Sequence, residues 1–155
     1  MRYLAVVMSA AILAGCGKKD APPAADSSQA NNARPPAEPM DLAKIAGDWD
    51  VQLVGATTDS VLLNYKMTAT ADTTGWTMTF PNREPVPMRV VAVAGDSAVV
   101  EAGPYESALR PGVQVRTVTV MRLRGDRLMS HTAAHYDIGG VDSVIQLRSR
   151  GRRAQ

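Results

Sequence analysis

The sequence predicts an all-β domain, a single antiparallel eight-stranded up-and-down meander over residues 42–155, carried behind a leader and a tether. Three observations predict it. Apolar residues recur with a period of two, glycine-led turns separate the runs, and no helical pattern of any length interrupts them.

Taken in order, the first strand, 48–56, sets Trp49, Val51 and Leu53 on one face against Asp50 and Gln52. The second, 60–70, places Leu63, Tyr65, Met67 and Ala69 opposite Asn64, Lys66, Thr68 and Thr70. The third, 75–80, alternates Trp76, Met78 and Phe80 with threonines. One apolar and one wet face is the pattern of a half-buried antiparallel strand. Strands at 86–94 and 97–102 flank Gly95-Asp96, and strands at 113–124 and 127–136 flank Gly125-Asp126. Glycine at the first position of a two-residue hairpin turn supplies the positive φ it needs. The eighth strand is 143–151. Looser turns are expected at 57–59, 71–75, 81–85 and 137–142, with one long connection at 103–111. Val118 and Val120 fall out of phase with Met121 and Leu123, which predicts a bulge in the sixth strand. Eight such strands close into a barrel that leaves no edge, an open curled sheet being the alternative.

Ahead of the domain, Arg2 precedes Tyr3–Ala14, an uncharged run of twelve residues. As a helix it would rise about 18 Å, short of the roughly 30 Å hydrocarbon core. It therefore reads as the apolar region of an export signal. Leu13-Ala14-Gly15-Cys16 resembles the lipobox of bacterial lipoproteins. The resemblance implies that residues 1–15 are a signal peptide and that Cys16 is lipidated (palmitate among its acyl chains), becoming the mature N-terminus of a membrane-anchored cell-envelope protein. Two or more acyl chains anchor stably, whereas one holds only reversibly. Gly17, where enterobacterial members retained at the inner membrane carry aspartate, implies the periplasmic face of the outer membrane in a two-membrane cell. Cys16 is the only cysteine, so the domain has no internal disulfide.

Residues 16–41 form the lipidated cysteine and a Pro/Ala-rich tether. Residues 17–41 hold five of the ten prolines, with no aromatic residue and no apolar period. Such a composition favours a disordered chain, reaching about 25–30 Å as a flexible coil.

Asp41–Val51 (DLAKIAGDWDV) resembles the opening of a lipocalin-like barrel, in which a short helical turn leads into Gly-x-Trp, here Gly47 and Trp49. The resemblance implies a lipocalin-like barrel whose tryptophan plugs one end beneath an arginine of the last strand, Arg148 or Arg150. Neither a second lipocalin motif nor a helix after the last strand is present in the sequence.

The chemistry-bearing residues point away from catalysis. His131 and His135 lie four residues apart on one predicted strand, about 13 Å, whereas metal–nitrogen bonds are about 2 Å. No metal site or cofactor is therefore expected. Glu101 and Glu106, beside Arg110, read as solvated ion pairs rather than an acid–base couple, and no Gly-x-Ser-x-Gly elbow occurs. Met67, Met78, Met88, Met121 and Met129 fall on five different strands; flexible thioethers suit either ordinary core filling or a cavity for varied apolar shapes. Thioethers with a histidine would also suit Cu(I), a lesser alternative. Arg148, Arg150, Arg152 and Arg153 make the C-terminus basic, while residues 42–147 carry nine basic against eleven acidic side chains. A basic end fits phospholipid or lipopolysaccharide headgroups or a solubilising last strand, and nucleic acid is not expected as a partner.

The expected function is non-catalytic: binding a small apolar or amphiphilic ligand inside the barrel, with Trp49, Tyr65, Met67, Trp76, Met78 and Met88 as lining. The alternative is a structural or interaction module of the envelope with a filled core and a protein partner. An interior cavity of roughly 300 Å³ or more favours the first; a solid core with an exposed apolar patch favours the second.

Overall fold

A computed structural model describes residues 40–155. The expected signal peptide at 1–15, the lipobox-like stretch with Cys16, and the expected tether up to residue 39 lie outside the described residues. A short helix α1 (Leu42–Ile45) precedes eight strands: β1 (Gly47–Gly55), β2 (Val61–Ala69), β3 (Trp76–Thr79), β4 (Val86–Ala94), β5 (Ser97–Glu106), β6 (Gln114–Arg124), β7 (Arg127–Ile138) and β8 (Val141–Arg153). Each strand pairs antiparallel with the next, and β8 returns to β1, giving a closed up-and-down barrel. The closing ladder runs from Trp49↔Arg153 to Gly55↔Leu147, which removes the open-sheet alternative.

Inward positions follow the two-residue period. Trp49, Val51, Met67, Ala69, Trp76, Val90, Ala98, Val100, Met121 and Leu128 form the core of one end, with Ile45 of α1 against it. Met40 and Asp41, which the sequence assigns to the tether, belong to this end. Met40 packs on the core and its N–H donates to the Gly95 carbonyl at 2.6 Å. Asp41 caps α1, its carboxylate accepting from the Ala43 N–H at 2.9 Å, which satisfies a donor that the first helical turn leaves unpaired. The opposite end is built around Leu53, Val115, Ala134, Tyr136 and Leu147, together with Met78, Phe80 and Ala102.

Three expectations about the wall are corrected. The sixth strand has no bulge: its register with β7 runs unbroken from Val115↔Tyr136 to Arg124↔Arg127. Val118 and Val120 face outward, while Thr117 and Thr119 share the inner face with Met121, so polarity and side are exchanged without any break in the backbone. The irregularity lies on β5, where register shifts between Ala102 and Tyr105. β5 therefore continues through residues that the sequence assigns to a loop. Gly103 has φ 107° there, and a Cβ on it would lie 2.6 Å from the Val115 carbonyl oxygen, so only glycine lets the two backbones approach. Third, the turn expected at 137–142 tightens to two residues, Gly139-Gly140, and the β7–β8 hairpin lengthens on both sides. Val141–Gln146 pair with β7 alone, so this hairpin projects past the end of β1.

Candidate functional site

The barrel interior is the first place to look for a site, and its two ends differ. At the α1 end, the Trp49 indole N–H donates to the Ile45 carbonyl at 2.8 Å, and the ring is fully buried. Arg153 covers it, with the guanidinium carbon 4.2 Å from the ring centroid, a cation–π arrangement. The same guanidinium donates to the carbonyls of Lys44 (2.5 Å), Ile45 (3.3 Å) and Ala46. These carbonyls end a short helix and have no partner further along it. Gly47 has φ 120°, a conformation that favours glycine, and a Cβ there would meet the Arg153 guanidinium at 2.7 Å and push it from its place.

The covering arginine is thus Arg153, not Arg148 or Arg150. Odd-numbered residues of β8 face inward, as Leu147, Ser149 and Gly151 do, and Arg153 stands directly opposite Trp49. Arg148 and Arg150 face out. Arg148 donates to the carbonyls of Gly55 and Thr58 and pairs with Asp59 at 3.2 Å, and Arg150 donates to the Gln52 amide oxygen at 3.1 Å. The expected strand stopped two residues before the residue that matters.

Of the six expected lining residues, Trp49, Met67 and Trp76 are packed into the sealed end, and Met88 lies between the two halves, partly buried. Only Tyr65 and Met78 border open space. That space is a cavity of about 50 Å³ in the other half of the barrel. Around it stand Leu53, Leu63, Phe80 and Leu147, with a set of hydroxyls that the apolar pattern concealed. Thr119 and Thr132 hydrogen-bond each other at 2.9 Å, Ser107 and Tyr136 at 3.4 Å, and Tyr105 bonds Thr117. Below them Tyr65 bonds Ser149, which also meets Ser130. Hydroxyls of this kind sit on the buried face of alternating strands but score as polar, which is why β6 misread. Among the described residues, no buried side-chain nitrogen or oxygen lacks a hydrogen-bond partner.

Residues 107–113 lie across the mouth of this half. The Ser107 hydroxyl accepts from the N–H groups of Leu109 and Arg110, its own N–H donates to the Val113 carbonyl, and Arg110 lies 4.9 Å from the Tyr136 ring centroid. Glu106 pairs with Arg83 at 3.7 Å and Glu101 with Arg89 at 2.8 Å, so the two loop-flanking carboxylates engage different arginines on the outer surface. His135 bonds Asp142 at 2.9 Å on the outer face of β7 and β8.

Two of the phenols, Tyr105 and Tyr65, resist ionisation. Burial pushes Tyr105 up to about 12, with the neighbouring Tyr65 and Tyr136 adding to it and the Thr117 bond opposing. Burial also raises Tyr65, against the Ser149 bond. The cavity therefore carries neutral donors and acceptors, with no charged side chain among its lining residues. No protein-family model, characterised protein or solved structure matches this chain.

Proposed function

We propose that this protein is a lipid-anchored lipoprotein of the cell envelope, held through Cys16, which acts without catalysis as an interaction module on a filled barrel. One observation carries the choice between the two expected roles: the interior offers about 50 Å³, against the roughly 300 Å³ or more of a ligand pocket. A few waters fit such a hydroxyl-lined space; an acyl chain does not. The neutral lining also lacks the pair of tuned acid and base groups that proton-transfer catalysis uses. Exposed apolar side chains at the cavity end support contact with a partner: Ile138 and Val141 at the tip of the β7–β8 hairpin, Val144 beside them, and Val61 and Leu62 at the start of β2. Gly47, Trp49 and the arginine above them support a lipocalin-like origin for the barrel. The address rests on the lipobox, and Gly17 supports the periplasmic face of an outer membrane.

Titration of the non-lipidated protein with palmitate and with a fluorescent apolar dye tests the reading. It predicts no saturable change in tryptophan fluorescence and no rise in melting temperature, since a ligand that binds only the folded state raises it. Saturable binding with a raised melting temperature would return the barrel to ligand carriage. Palmitate labelling that persists after Cys16→Ser would remove the anchor from Cys16.

A further inference from the structure

A second concavity lies outside the barrel, a groove of about 1320 Å³ along the outer wall of β8, β1 and β2 that reaches the segment after β3. Its lining is unbalanced in charge. Lys66, Arg83, Arg127, Arg150, Arg152 and Arg153 contribute six positive charges, and Asp50 and Glu84 two negative ones. Register explains the concentration: Arg127 pairs with Arg152, Arg152 with Asp50, and Asp50 with Lys66, so one row across four strands holds three cations and a single carboxylate. Lys66, Arg127, Arg150 and Arg152 are all exposed. Among the described residues, no carboxylate comes within ion-pair distance of Lys66, Arg127 or Arg152, while Arg122 and Arg124 of the neighbouring β6 are both tied to Asp96.

We infer that this groove is a docking surface for the anionic phospholipid headgroups of the membrane that holds the protein. Charge complementarity is the first argument. Unpaired guanidinium groups form two parallel hydrogen bonds to phosphate oxygens, and a cationic cluster held near an anionic bilayer is drawn to it within a Debye length. Position is the second. Arg127, Arg152 and Arg153 lie at the α1 end of the barrel, where Met40 leads in from the tether, and Cys16 is only 24 positions before Met40. An anchor at Cys16 therefore brings that end, and the arginines on it, toward the headgroups. The orientation rests on the lipoprotein reading; the affinity of the groove for anionic lipid does not.

The test uses the mature chain as Cys16→Ser, so that no acyl chain contributes, with vesicles of phosphatidylglycerol and phosphatidylethanolamine against vesicles of phosphatidylcholine. The protein is expected to sediment with the anionic vesicles, less so as salt rises, and to stay free of the zwitterionic ones. The pair Arg127→Glu and Arg152→Glu is expected to weaken that partition about tenfold or more, while the pair Arg89→Glu and Arg116→Glu, on other walls of the barrel, retains it. If the glutamate pair fails to fold in a thermal melt, Arg127→Gln with Arg152→Gln carries the same expectation. Equal binding to both vesicle types, unaltered binding by the groove variants, or an equal loss from the control pair would overturn the proposal. Mass analysis of Cys16 in the unmodified sequence reports on the anchor separately, so failure of one does not pass for failure of the other.

Discussion

At the α1 end of the barrel Trp49, Met67 and Trp76 are almost wholly buried, whereas at the opposite end Tyr65, Tyr105 and Tyr136 line a cavity of about 50 Å³. Each tryptophan has one polar atom, and each sends it to a fixed backbone carbonyl: Trp49 to Ile45 and Trp76 to Asp72, both at 2.8 Å. Nothing polar is left over, and the rings close-pack. The tyrosine, threonine and serine hydroxyls of the other half need partners at set angles, and satisfying them holds side chains apart. Close packing and polar satisfaction are thus met in different halves of one small barrel. Stability is concentrated where the packing is tight.

The sharpest way to break that contrast is Trp49→Ala. Removing a buried tryptophan from a packed core costs about 3–5 kcal/mol, and here it also strips Arg153 of the ring beneath it. Urea unfolding is expected to show that loss, and a result under about 1 kcal/mol would mean the end is not sealed by packing. Next in size is an alkaline effect in the other half. Tyr105 ionises at about 12 in the fold against an ordinary value near 10. The raised value means that its contribution is fully present below pH 10 and is lost as pH climbs toward 12, amounting to about 2–3 kcal/mol at most. Ultraviolet titration is expected to show both Tyr105 and Tyr65 ionising late, and Tyr105→Phe to remove one of those steps.

Smaller again is Arg153→Ala, expected to cost about 1–2 kcal/mol through the lost cation–π contact and the lost guanidinium hydrogen bonds to the carbonyls of Lys44, Ile45 and Ala46. Arg150→Ala, on the outer face of the same strand, is expected to fall within about 0.5 kcal/mol of the parent. The smallest effect belongs to the paired replacement Thr119→Val with Thr132→Val. Removing both partners of a buried hydrogen bond while keeping their shape is nearly neutral, so the melting temperature should barely move. Either single change should cost more than the pair.

How far all this was legible depends on which face a residue type favours. Strands β1 to β3 read correctly because large apolar residues and the inward face coincide there, as at Trp49, Met67 and Trp76. β6 misled because threonines took the inside and valines the outside; the alternation was intact, but its sign could not be read from polarity alone. β5 was cut short because Gly103-Pro104 has the composition of a loop, and only the carbonyl of Val115 beside it explains why such residues stay in a strand. Arg153 was passed over for a related reason. Nothing local extends a strand through Gly151-Arg152-Arg153; the pairing with β1, about a hundred positions earlier in the chain, does so. The groove, likewise, exists only because register sets arginines from β7 and β8 beside a lysine of β2.

The pairing of β8 with β1 makes the barrel a clasp. Arg153 stands opposite Trp49, and the N–H of Ala154 reaches the Asp48 carbonyl at 2.9 Å. A chain released in order from its N-terminus holds β1 early but has no β8 to join it to, and Trp49 waits uncovered until Arg153 follows, about a hundred positions later. Removing Arg153 would therefore uncover a tryptophan about a hundred positions earlier in the chain.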